Sequence, residues 1–125
     1  MQTRSLLSNT SRVISVPVIR ARLFSGNAGV APHAYDEVSQ VVRTGDMSFR
    51  GMLTDKFSIK GAPNGGYLMG IAMNAAKESV TAPDPLSSTG YYVGKSLPHI
   101  AMDMQVEVLS QSKSTSTATV RCSQE

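Results

Sequence analysis

Two adjacent glycines behind an asparagine, Asn64-Gly65-Gly66, stand where a long apolar run begins. At the start of a helix the first backbone N–H groups have no partner inside the helix and point outward with the positive end of its dipole. Glycines leave those donors uncovered. A carbonyl oxygen that gains negative charge during nucleophilic attack can be stabilised there, which is the principle of an oxyanion hole. Asn64 can cap the helix or offer its amide to a ligand. The same residues also fit an ordinary capped loop-to-helix junction whose glycines allow tight packing, and the local sequence leaves both readings open.

Few other reactive groups are available. Asp46, Asp55 and Asp84 are the nearby carboxylates that could serve as a base, and Asp84, between two prolines, reads as a solvated turn residue. Cys122 is the sole cysteine, which excludes an internal disulfide or a Cys-based zinc site within the chain. It reads as a buried or incidental thiol. His33 and His99 stand far apart and in no ligand spacing, so no metal is expected. Gly90-Tyr91-Tyr92-Val93-Gly94-Lys95-Ser96 approaches a phosphate-binding loop, but three residues separate its glycines where the motif has four, and Leu97-Pro98 follows where a helix should begin. It is a chance match, and no cofactor is implied.

The elements that must position these residues follow from periodicity. Tyr35 to Arg43 suggests a short helix stopped by Gly45. Met47 to Leu53 alternates as a strand, with Met47, Phe49, Gly51 and Leu53 on one face. Lys60-Gly61-Ala62-Pro63 forms a turn. A helix then runs from about Asn64 to Val80, where Pro83 and Pro85 bar its continuation. Tyr67, Leu68, Met69, Ile71, Ala72, Met73, Ala75 and Ala76 leave it no polar face over three turns, which predicts a buried helix wrapped by a curved sheet. Leu86 to Gly94, Ala101 to Leu109 and Thr115 to Cys122 read as strands, the last two as an antiparallel hairpin. This order argues α+β. The edge left after the last strand needs another strand or another chain to cover it.

Charge divides the chain. Four of its twelve Lys and Arg, namely Arg4, Arg12, Arg20 and Arg22, lie in the first thirty residues, which hold no Asp or Glu. The rest carries eight basic residues against nine acids, so the basic pI belongs to the N-terminus. Lys and Arg are scattered elsewhere, unlike a phosphate footprint, and no nucleic-acid partner is expected. The Arg- and Ser-rich leader, with apolar residues between its bases, has the composition of a mitochondrial transit peptide, a disordered basic tail being the alternative. Arg22-Leu23-Phe24-Ser25 is similar to a matrix-processing signal. No run reaches the ~18 apolar residues of a membrane span.

From Phe49 onward the chain resembles the hotdog-fold acyl-CoA thioesterases, in particular the group similar to acyl-CoA thioesterase II. The residues that carry the resemblance are Pro63-Asn64-Gly65-Gly66-Tyr67-Leu68 with the apolar helix behind it, Pro83-Asp84-Pro85-Leu86-Ser87 before an aromatic stretch, Val106-Glu107-Val108-Leu109, and Lys113-Ser114-Thr115-Ser116-Thr117-Ala118. The resemblance implies a hotdog fold, α+β, with a long central helix wrapped by a curled antiparallel sheet that is incomplete at the C-terminus. It also implies hydrolysis of a fatty acyl-CoA to free acid and CoA. Gly65 and Gly66 would hold the thioester carbonyl, Asn64 would border that site, and Tyr67 would line an acyl channel. Where some such families carry a helix-borne acid, this chain has Met73 and Asn74, and Val93-Gly94-Lys95-Ser96 stands where an Arg-Pro pair is more usual.

Residues 1–30 are thus expected to be a transit peptide or disordered leader, and residues 31–125 a hotdog thioesterase-like domain that lacks part of its sheet. The expected partners are an acyl-CoA substrate and a second hotdog unit, as a homodimer or a tandem domain, in the mitochondrial matrix. A non-catalytic acyl-CoA-binding or dimerisation module is the other expectation.

Overall fold

The structure, a computed structural model, describes residues 12–19 as backbone, together with residues 33–82 and 84–125. The remainder of the leader, including the signal at Arg22–Ser25, and Pro83 lie outside the described residues. In chain order the elements are β1 (Arg12–Ile19), α1 (Ala34–Val38), β2 (Val42–Gly45), β3 (Ser48–Met52), β4 (Ser58–Ile59), β5 (Ala62–Pro63), α2 (Gly65–Lys77), β6 (Asp84–Pro85), β7 (Thr89–Gly90), β8 (Ala101–Gln111) and β9 (Thr115–Ser123). One antiparallel sheet runs β2-β3-β8-β9-β1-β6, with β7 also on β1, while β4 and β5 form a separate ladder.

Period-two alternation sets this sheet. Phe49 and Gly51 of β3, Met102, Met104 and Val106 of β8, and Ser116, Ala118, Val120 and Cys122 of β9 are buried, while Arg50, Met52, Gln105, Glu107 and Arg121 face out. β3 meets β8 with Phe49 opposite Met104 and Gly51 opposite Met102. On the outer face Arg50 reaches across to Asp103 in two hydrogen bonds of 2.7 and 3.2 Å, which raises the guanidinium pKa further. The β8–β9 hairpin is as the alternation predicts, and Cys122 is buried in it.

The apolar helix lies against the inner face of this sheet. Tyr67, Leu68, Ile71, Ala72, Ala75 and Ala76 form its buried face, joined to Phe49, Leu53, Ala82 and the inward residues of β8 and β9 in one core. Gly51 permits the approach, since a Cβ there would lie 3.0 Å from Ile71 Cγ2. The α+β class with an antiparallel sheet is therefore present.

Four expectations are corrected. Helix α2 has 13 residues and ends at Lys77, because Glu78 and Ser79 turn out of the helix and Ser79 Oγ bonds the Ala75 carbonyl at 2.9 Å. The sheet does not wrap it: Met69, Gly70, Met73 and Asn74 are only half-buried on the side away from the sheet. The Tyr35–Arg43 segment is helical only to Val38, and β-branched Val42 enters a β2–β3 hairpin with Met47 at positive φ in its turn. Leu86–Gly94 is no continuous strand; Tyr91 and Val93, 66% and 71% exposed, cross outside the sheet.

β1 runs along β9 from Arg12 opposite Cys122 to Ile19 opposite Thr115. It lies within the segment read as a leader, and it covers the β9 edge that the sequence leaves in need of a partner.

Candidate active site at the start of helix α2

The β4–β5 hairpin aims the chain into the helix. Lys60 and Gly61, at φ 50° and 77°, supply the two left-handed positions that such a two-residue turn demands. Asn64 then stays extended, at φ −72° and ψ 155°, as the N-cap. Its N–H donates to the Phe57 carbonyl at 3.0 Å, and its carbonyl accepts from Leu68 N–H at 3.1 Å. Its side-chain Oδ1 accepts from Tyr67 N–H at 2.9 Å. The oxygen of Asn64 is thus used in the cap.

The two N–H groups that precede Tyr67 are left over. Neither Gly65 N–H nor Gly66 N–H makes a hydrogen bond among the described residues. Gly66 is exposed and Gly65 half-buried. The Gly65 carbonyl accepts a hydrogen bond of 2.6 Å from the Tyr92 hydroxyl, and the Tyr92 ring sits where a Cβ on Gly65 would come within 3.1 Å of it. The stretch Tyr91–Val93 therefore crosses the mouth of the helix.

Tyr67, expected at an acyl channel, is 2% exposed and lies behind this mouth. Its hydroxyl donates to the Val38 carbonyl at 2.9 Å and accepts from Thr54 N–H at 3.3 Å. Its ring packs on Tyr35 and Phe57, at centroid distances of 6.2 and 5.5 Å.

A groove of about 390 Å³ runs along the side of α2 that faces away from the sheet, lined by Tyr35, Gly66, Met69, Gly70, Met73, Asn74, Lys77 and Pro85. The α2 members recur at three- and four-residue steps and form one stripe. The open amide end at Gly66 leads into an apolar middle. Gly70 is needed there, because a Cβ at that position would collide with the Tyr35 hydroxyl. Desolvation, with Tyr67 and Asp36 nearby, raises the Tyr35 pKa above 10.0, so the phenol stays protonated at physiological pH.

No carboxylate or imidazole lines this groove among the described residues. Asn74, in the region where a helix-borne acid was sought, donates through Nδ2 to the Ser39 carbonyl at 2.8 Å and to Ser39 Oγ at 3.3 Å. Asp55 lies 3.6 Å from His99 Nε2 on the surface, Asp46 is in the β2–β3 turn, and Asp84 is in β6. No group of three or more His, Cys, Asp or Glu among the described residues could hold a metal. The geometry thus brings together Asn64, Gly65 and Gly66, sets Tyr67 behind them, and adds Tyr35 and Tyr92, which the sequence did not connect to the site. The interior glycine at 70 was the available signal for Tyr35, since glycine costs about 1 kcal/mol in a helix without a packing reason.

Among the described residues no helix is long and apolar enough to cross a membrane. Comparison with curated proteins and with solved structures gives no match. A family model described as the acyl-CoA thioesterase N-terminal domain matches residues 53–125, a span that contains β4, β5, α2 and every element after it. This chain belongs to that family, whose members are hotdog thioesterase-like domains.

Proposed function

We propose that this protein takes part in hydrolysis of a fatty acyl-CoA thioester and that Gly65 and Gly66 hold the carbonyl under attack. One observation carries this: of two adjacent main-chain amides that are unbonded among the described residues, that of Gly66 opens onto an apolar groove in a chain of this family. Water adds to the thioester carbonyl carbon, the oxygen becomes negative, and the two N–H groups stabilise it. Collapse breaks the carbon–sulfur bond. The thiolate leaves and takes up a proton, and a free acid remains. Asn64 orients the amides by capping the helix, and Tyr67 fixes the helix start to the end of α1 at Val38 and to the loop at Thr54.

The base that accepts the water proton comes from a second hotdog unit, in a tandem domain or another copy, because no described residue lining the groove can act as one at neutral pH. The acid-free, Arg- and Ser-rich leader supports a mitochondrial matrix address. Hydrolysis of an acyl-CoA series of graded chain length by the complete, oligomeric protein tests the proposal; no turnover would reject the enzymatic claim.

The absence of a carboxylate from the described groove lining favours one second reading, a non-catalytic acyl-CoA-binding module. Calorimetry with a non-hydrolysable acyl-CoA separates the two, since binding without turnover supports this alternative.

A further inference from the structure

We propose that the Tyr35 hydroxyl binds the ligand of this groove, donating a hydrogen bond to the first amide carbonyl of the pantetheine arm of an acyl thioester whose own carbonyl rests at Gly66. The inference deepens the function proposed above and rests on it.

Three observations converge on Tyr35. Its hydroxyl lines the groove and makes no hydrogen bond among the described residues, although it is drawn partly out of water. A hydroxyl on a groove wall with no protein partner among the described residues is free to donate, and a ligand acceptor takes the place of water there. Its position is fixed in advance: the ring stands edge-on to Phe57 at 5.5 Å and to Tyr67 at 6.2 Å. Little ordering cost therefore remains for binding. Finally, α2 carries glycine at position 70 where any side chain would expel the hydroxyl.

The spacing selects the ligand group. Gly66 and Gly70 are one turn apart, so the open amide and the phenol are about 6 Å apart along the helix axis. In an acyl-pantetheine the thioester carbonyl and the first amide carbonyl are separated by a sulfur, two methylene groups and a nitrogen, a comparable span when extended. The hydroxyl remains protonated and donates, as an amide carbonyl requires.

The test compares two thioesters of one acyl chain: the N-acetylcysteamine thioester, which carries that amide, and an S-alkyl thioester of equal length, which does not. The full chain should favour the amide-bearing compound by about tenfold in kcat/KM, the equivalent of one neutral hydrogen bond. Tyr35→Phe keeps the ring, and a thermal melt checks its folding; the preference should fall to near one. Gly70→Ala, which displaces the hydroxyl without removing it, should lose the preference as well. Calorimetric affinities for the same two compounds give the comparison if the chain binds without turnover. Tyr35→Phe retaining the wild-type preference, or a wild type with none, overturns this inference alone. Neither hydrolysis nor binding of either compound overturns the proposed function and this inference with it.

Discussion

The Tyr92 hydroxyl donates to the Gly65 carbonyl oxygen at 2.6 Å, and that carbonyl shares its peptide unit with the Gly66 N–H. A hydrogen bond accepted by the oxygen draws electron density from the attached nitrogen and makes the N–H a stronger donor. Tyr92→Phe keeps the ring over Gly65 and removes the bond. Turnover should fall about threefold to tenfold with KM nearly unchanged, matching the loss of a bond worth about 1 kcal/mol. The Gly66 amide proton should move upfield in the NMR spectrum. A resonance that stays in place would show that the two groups are not coupled.

The glycine pair divides into two different requirements. A Cβ on Gly65 would stand 3.1 Å from Tyr92 Cζ and 3.2 Å from its oxygen, whereas one on Gly66 meets only Asn64 Oδ1, at 3.3 Å. Gly66→Ala should therefore fold normally, gaining a few tenths of a kcal/mol from helix propensity. Its methyl group crowds the amide end, and turnover should drop about tenfold or more. Gly65→Val should displace Tyr92 and lose some stability too. Parallel losses of stability and turnover in Gly66→Ala would point to packing alone.

Gly70 and Tyr35 should behave as a coupled pair. Gly70→Ala forces the hydroxyl out of its place, and overpacking of this kind costs about 1 to 3 kcal/mol. Adding Tyr35→Phe removes the oxygen, the atom that collides most severely, and leaves only Cζ at 2.8 Å to give way, so the double variant should recover part of that loss in chemical denaturation. Strict additivity would mean that the two residues do not meet in solution.

The parts legible in the sequence were those with a strong period or a capping signal. The alternation of Met102, Met104 and Val106 against Asp103, Gln105 and Glu107 gave β8, and Asn64 with its two glycines gave the helix start. What escaped was tertiary. The α2 residues facing away from the sheet include Gly66, Met69, Gly70 and Met73, which look as apolar as core residues, so periodicity could not distinguish a groove wall from a buried face. Tyr91 and Tyr92 suit a strand by propensity, yet the chain crosses the helix mouth there and Tyr92 serves the Gly65 carbonyl. Tyr35 lies about thirty residues before the helix it touches, and only the interior glycine hinted at the contact.

Asn64 separates capping from carbonyl binding. Asn64→Ala should lower stability by about 1 kcal/mol, because Tyr67 N–H loses its acceptor. Asn64→Asp keeps an acceptor and adds a charge that suits the helix dipole, so stability should hold or rise. The same charge repels a developing oxyanion, and turnover should fall. A drop in stability with Asp, or unchanged turnover, would contradict this assignment.

The Tyr35 phenol also predicts a response to alkaline pH. Desolvation, followed by the proximity of Tyr67 and Asp36, raises its pKa in the folded chain above the ordinary 10.0. Below pH 10 it is protonated in both the folded and unfolded states and contributes no slope. As pH climbs past 10 the unfolded chain releases this proton first, so the folded state holds more protons and stability declines until the folded pKa is passed. The decisive quantity is the difference between wild type and Tyr35→Phe in melting temperature, followed from pH 8 to 11. That difference should be flat to about pH 10, after which the wild type should lose stability faster than the variant. Parallel curves throughout would place the phenol in water, and the groove would then lack the preformed donor assigned to it.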